Sequence, residues 1–146
     1  MTRATLSLLA LATPALIGCG DATGLDPVEL AGTWNAIEYR LTNPANTAQS
    51  VELIAAGGSL TLVIRADSTY TATIQEPGGA PDTQSGTVEI RGDTLTISES
   101  GQGSPTPFMA RRSGDTLTMT TSDEEYDFDQ DGTDDPADLR MVFVRQ

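Results

Sequence analysis

Ser59-Leu60-Thr61-Leu62-Val63-Ile64-Arg65-Ala66-Asp67-Ser68-Thr69-Tyr70-Thr71-Ala72-Thr73-Ile74-Gln75 reads as two strands joined by a tight turn. Leu60, Leu62 and Ile64 alternate with Thr61, Val63 and Arg65, and Tyr70, Ala72 and Ile74 alternate with Thr69, Thr71 and Thr73. Successive side chains of a strand project to opposite faces, so a period of two marks a strand with one face buried and one wet. Asp67-Ser68 falls where the chain must reverse, and both residue types favour turns by bonding to nearby backbone.

Working outward, the same pattern recurs. Asn35 to Leu41 alternates with Ile37, Tyr39 and Leu41 on one side; further runs lie at Thr87–Arg91, Thr94–Ser98, Pro107–Arg112, Thr116–Ser122 and Leu139–Arg145, eight in all. Gly92-Asp93 and Gly114-Asp115 are tight turns, since Gly supplies the positive φ that a two-residue hairpin needs first. The long connections are Thr42 to Gly58, Glu76 to Gly86, Glu99 to Thr106 and Asp123 to Asp138, so short and long alternate. In an up-and-down meander, alternate connections lie at opposite ends, which puts every tight turn at one end and every long loop at the other. The near repeat of Gly92-Asp93-Thr94-Leu95-Thr96-Ile97 as Gly114-Asp115-Thr116-Leu117-Thr118-Met119 indicates one hairpin used twice. The expected fold is all-β: an eight-stranded antiparallel up-and-down barrel over residues 30–146, closed so that no edge strand is left exposed.

Gly32-Thr33-Trp34 at the start of the first strand resembles the Gly-x-Trp signature of lipocalins and related small barrels. Before it, Asp26-Pro27-Val28-Glu29 carries the chemistry of one helical turn: Asp26 as cap, Pro27 at the first position and Glu29 reaching back to the cap. The resemblance implies that Trp34 closes the narrow end beneath Arg145 of the last strand, and that the barrel binds a small apolar molecule. If Trp34 points inward and the strand is regular, Glu38 and Arg40 also point inward and line a polar pocket with Leu62, Tyr70 and Ala72. A bulge after Trp34 instead reverses the parity and buries Ile37, Tyr39 and Leu41; the bulge is the expected outcome. The inward set of Leu60, Leu62, Ile64, Tyr70, Ile74, Val88, Ile90, Leu95, Ile97, Leu117, Met119, Met141 and Phe143 is bulky enough to fill an eight-stranded barrel unaided, so a filled interior and a small-ligand cavity both remain open.

Composition narrows the functions. All 8 basic residues are Arg, against 21 acids, for a formal charge of -13 with no His. Nucleic acid and anionic lipid surfaces are repelled by such a chain. Without His or Lys there is no imidazole-based triad, imidazole metal site or Schiff base, so an enzyme would have to work with carboxylates, as glycoside hydrolases do. The expectation is a binding protein, not an enzyme.

The N-terminus speaks of place. Arg3 precedes an apolar run of Leu6, Leu8, Leu9, Leu11, Leu16 and Ile17, broken by Pro14 and too short for the roughly 20 residues of a spanning helix. Leu16-Ile17-Gly18-Cys19 resembles the lipobox of bacterial lipoproteins, and Cys19 is the chain's only Cys. The resemblance implies a signal peptide over 1–18, lipidation (palmitate among the acyl chains) of Cys19, a tether over 19–29 and a cell-envelope location. Gly20 after the Cys leans toward the outer membrane if the host is Gram-negative. Partners would then be the membrane through the lipid, and a small apolar ligand or an envelope protein reached through the loops.

A last signal lies before the final strand. Asp127-Phe128-Asp129-Gln130-Asp131-Gly132-Thr133-Asp134-Asp135-Pro136-Ala137-Asp138 resembles the calcium loops of EF-hand and dockerin modules. The resemblance implies Asp127, Asp129 and Asp131 as side-chain ligands, Thr133 through its carbonyl, Asp135 through water and Asp138 at the closing position. Glu124 and Glu125 alongside are expected to be solubilising charge.

Overall fold

A computed structural model of the chain describes residues 25–101 and 103–146. After a single turn of helix, α1 (Pro27–Leu30), the chain forms nine strands: β1 (Gly32–Thr42), β2 (Ser50–Glu52), β3 (Ser59–Ile64), β4 (Thr69–Gln75), β5 (Pro81–Arg91), β6 (Thr94–Glu99), β7 (Thr106–Ser113), β8 (Thr116–Tyr126) and β9 (Asp135–Arg145). Every pairing is antiparallel, β3 to β9 follow in chain order, and β1 pairs with both β3 and β9. The sheet is therefore closed into an eight-stranded up-and-down barrel. The ninth strand, β2, comes from the first long connection and pairs with the far end of β1 after β3 has left it.

The hairpins follow the turn chemistry. Arg91 pairs with Thr94 and Ser113 with Thr116, so Gly92-Asp93 and Gly114-Asp115 are two-residue turns, with φ of 60° and 58° at the two glycines. The β3–β4 turn is longer than the two residues expected. Ala66, Asp67 and Ser68 bridge Arg65 and Thr69, Ser68 takes φ 65°, and Asp67 accepts from both the backbone and the hydroxyl of Thr69. That is the three-residue loop with a left-handed last position. At the other end, two loops are shorter than expected because their strands run on: β5 begins at Pro81, β8 reaches Tyr126 and β9 starts at Asp135.

The core is one layer of inward side chains. Leu60, Leu62, Ile64, Tyr70, Val88, Leu95, Leu117, Met119, Met141 and Phe143 are buried together, with Ile74, Ile90 and Ile97 packed against them. Phe108, Ala110 and Leu139 join them from runs whose inward faces had not been assigned. Gly86 stands opposite Tyr70 on one side and Glu99 on the other, and a Cβ there would lie 1.9 Å from the Ser98 carbonyl oxygen. Only a glycine admits so close an approach of β5 and β6.

The turn end is sealed by α1. Asp26 caps the turn through Val28 N–H at 2.7 Å, whereas Glu29 does not reach back to the cap; its carboxylate faces Arg112 at 3.7 Å. Leu30 is fully buried, and its carbonyl accepts the Trp34 indole N–H at 2.8 Å. The Arg145 guanidinium lies 4.6 Å over the Trp34 ring and donates to the Glu29 carbonyl. Gly32, at φ 149°, brings its backbone against that guanidinium.

Candidate functional site

The opposite end is open and holds a cavity of about 500 Å³. Its floor and walls are Leu60, Leu62, Ala72, Ile74, Ile97, Phe108, Leu139, Met141 and Phe143, and its polar groups are Tyr39, Tyr70, Gln84, Glu99, Ser104, Thr106 and Glu124. Leu62, Tyr70 and Ala72, expected in a pocket, lie on this wall.

Glu38 and Arg40 do not, and the reason is a bulge. Ala36 pairs with Phe143 and Glu38 with Val142, so Ile37 is an extra residue on β1. Trp34 and Ala36 face inward before it, Tyr39 and Leu41 after it, and Glu38 and Arg40 are turned outside. There the Glu38 carboxylate sits between Arg140, at 3.3 Å, and Arg40, at 3.7 Å. The bulge turns Tyr39 and Leu41 inward as expected, partly buried against the core, but not Ile37, which is itself the bulged residue and stays 57% exposed.

A second bulge works the same way on β8. Thr121 pairs with Leu139 and Glu124 with Ala137, leaving one residue more on β8 than on β9 between them. Regular alternation from Leu117, Met119 and Thr121 would have turned Asp123 inward; the bulge turns Glu124 inward and leaves Asp123 and Glu125 exposed. Glu124 is thus a wall residue, not the solubilising charge expected. Bulges recur beside functional sites because one extra residue re-aims a side chain, and here two of them aim Tyr39 and Glu124 into one mouth. The remaining carboxylate, Glu99, needs no irregularity: it continues the inward face of Leu95 and Ile97. That signal was available in the sequence, while the two bulges were not both legible.

The electrostatics follow from this burial. The Tyr39 hydroxyl is pushed up to about 12 by desolvation, with the Glu124 and Glu76 charges adding to it. Tyr70 is raised by desolvation and then by Glu99. Glu124 is raised by desolvation and then by Asp123. No arginine is among the lining residues.

The acidic loop is a separate feature. Asp127, Asp129 and Asp131 bring carboxylate oxygens within 4.8 Å of one another. They also organise the turn: Asp127 accepts from Asp131 and Gly132 N–H, Asp129 from Asp131 N–H, and Asp131 from Thr133 N–H. Asp135 and Asp138 lie outside this cluster because β9 has already begun; Asp135 pairs with Tyr126 and Asp138 with Thr42. The twelve-residue EF-hand pattern is therefore cut to its first half. Tyr126 and Phe128 stack edge to face at 5.0 Å at the root of the loop. Three hard oxygen donors fit a calcium ion in kind, though they supply only about half of the 6–8 ligands it takes.

Cys19 lies outside the described residues. Comparison with protein-family models, curated proteins and solved structures gave no match.

Proposed function

We propose that this chain is a lipid-anchored binding protein of the cell envelope, whose lipocalin-like barrel takes a small apolar molecule into its open end. The observation that carries the reading is the cavity. Small-molecule sites run to roughly 300–1,000 Å³, mostly apolar with a few convergent polar groups, and this one has about 500 Å³, nine apolar wall residues and a polar rim. The anchor rests on Leu16-Ile17-Gly18-Cys19, with outer-membrane placement following from Gly20 in a Gram-negative host. Two or more acyl chains hold such a domain firmly. Calcium at Asp127, Asp129 and Asp131 would stiffen the loop beside the mouth, with a dissociation constant on the order of 10⁻⁴ to 10⁻³ M. The test of the pocket is native mass spectrometry of the full chain against a panel of neutral apolar compounds. One-to-one complexes lost on Leu62→Trp, which fills the cavity, support the pocket; no complexes with any compound would overturn it. Palmitate labelling abolished by Cys19→Ala supports the anchor, and unchanged labelling removes it.

A second reading has one observation in its favour. Glu99 and Glu124 share the cavity, and Glu124 is held above the usual carboxylate range; glycoside hydrolysis draws on two carboxyl groups, one of them with raised proton affinity. Against it, the floor is apolar and offers a sugar few hydrogen-bond partners. Turnover of aryl glycosides, abolished by Glu99→Gln, would establish this reading in place of the first.

A further inference from the structure

The rim of the cavity carries charge of one sign only. Glu99 and Glu124 enter it from β6 and β8, Glu76 is close enough to act on Tyr39, and the other polar groups are neutral. All seven arginines among the described residues lie off the cavity lining, and the chain has neither Lys nor His. Arg112 and Arg145 belong to the sealed end, and Arg40 and Arg140 meet Glu38 outside.

These facts discriminate between ligand classes. An amphiphile with a carboxylate or phosphate head would bring its charge against two carboxylates with no cation to meet it. Burying an unpaired charge is among the costliest things a site can do. A neutral molecule would leave Glu124, already partly desolvated, with an uncharged hydrogen bond at best and with no partner where the ligand has no donor. An ammonium group answers both problems, since a charge-assisted hydrogen bond to a carboxylate is among the stronger contacts a protein makes. Tyr39, Tyr70 and Phe108 place aromatic rings in the same cavity, and a cation is attracted to such faces. The overall charge of -13 concentrates cations around the molecule before any contact forms.

We infer that the cavity selects an organic amine: an apolar body seated on Leu62, Phe108, Met141 and Phe143, with a protonated nitrogen held at the mouth by Glu124 and Glu99. This rests on the reading of the barrel as a binding pocket and names the class of ligand. It also assigns a purpose to the β8 bulge, which exchanges Asp123 for the longer Glu124 at the wall.

The experiment compares three probes with one apolar body, naphthylethylamine, naphthylethanol and naphthylacetate, binding to the full chain by isothermal titration calorimetry. The amine is expected to bind about tenfold or more tightly than the alcohol, the worth of one charged hydrogen bond, and the carboxylate not at all. Glu124→Gln should bring the amine down to the level at which the alcohol binds the parent chain, with cooperative thermal unfolding in circular dichroism showing that the variant is folded. Glu125→Gln makes the same change of net charge one residue away on the outer face, and should keep the preference. If the amine and alcohol bind alike, if the carboxylate binds best, or if Glu125→Gln abolishes the preference as Glu124→Gln does, the amine proposal fails and the pocket stands. If none of the three binds, the pocket reading itself fails.

Discussion

Trp34 does three things at once: it fills the sealed end, donates its indole N–H to Leu30 and stacks beneath Arg145. Trp34→Ala should therefore cost about 3–5 kcal/mol, the range for truncating a large buried aromatic residue, read as a lower midpoint in urea denaturation. Trp34→Phe should cost less, because only the indole donor and part of the stacking surface are lost. Glu124 acts in the opposite sense. Its folded-state affinity for a proton is raised by desolvation, so the stability it contributes is present below the unfolded value and is lost as pH rises through the folded one. At neutral pH the ionised carboxylate is a net burden. Glu124→Gln should melt at a higher temperature than the parent at pH 7, and the difference should vanish as pH falls through the raised value; a variant that melts lower at pH 7 would contradict the desolvation argument.

At the scale of the element, the bulge in β1 sets the parity of half a strand. Deleting Ile37 should restore regular pairing with β9 while keeping Tyr39 and Leu41 inward and Glu38 and Arg40 outside, because the residues after the bulge already pair one to one with β9. Ile37 is 57% exposed and has no partner on β9, so the cost should stay within about 1 kcal/mol, with cooperative thermal unfolding retained in circular dichroism. Removing a paired residue of a regular strand would flip every side chain beyond it, so loss of cooperative unfolding on deleting Ile37 would show that Ile37 is not the extra residue. In β5, Gly86→Ala meets the Ser98 carbonyl oxygen at 1.9 Å. Backbone cannot give way like a flexible side chain, so the loss should reach or exceed the roughly 1–3 kcal/mol usual for overpacking, measured by the same denaturation. The period-two pattern made β3, β4 and the two Gly-Asp hairpins plain in the sequence, because their turns need a positive φ that few residues supply. The extensions of β5, β8 and β9 were not plain: Pro81–Ser85 and Ser122–Tyr126 are polar, and their pairing is fixed by neighbours across the barrel, not by their own residues.

For the molecule as a whole, charge is the dominant long-range term. With 21 acids and 8 arginines on 146 residues, self-repulsion opposes the compact state and is relieved by salt. Raising the ionic strength from about 0.01 M to about 0.15 M shortens the Debye length from roughly 30 Å to roughly 8 Å. The melting temperature at neutral pH should rise across that interval with sodium chloride. If calcium occupies the Asp127–Asp131 turn, it should produce a further rise at equal ionic strength, absent from Asp129→Asn. At this scale the barrel has a sealed end, where α1 covers Trp34, and an open end bearing the cavity and the acidic loop.

The inward faces of β3 and β4, the tight turns of the meander and the eight strands that close the barrel were legible in the sequence alone. Each depends on local periodicity and on the φ angle a turn demands. The sequence also placed Trp34 and Arg145 on the first and last strands, which closure of the barrel must make neighbours. What only the tertiary structure decided was that the β1 bulge falls at Ile37, that β8 carries a second bulge and that part of the first long connection pairs as β2. A bulge is set by how two strands from distant parts of the chain fit around a closed sheet, and no residue on either strand encodes it by itself. Glu38 and Arg40 were moved outside, and Tyr39 and Glu124 moved in, by two single-residue shifts of register, and the chemistry of the cavity follows from them.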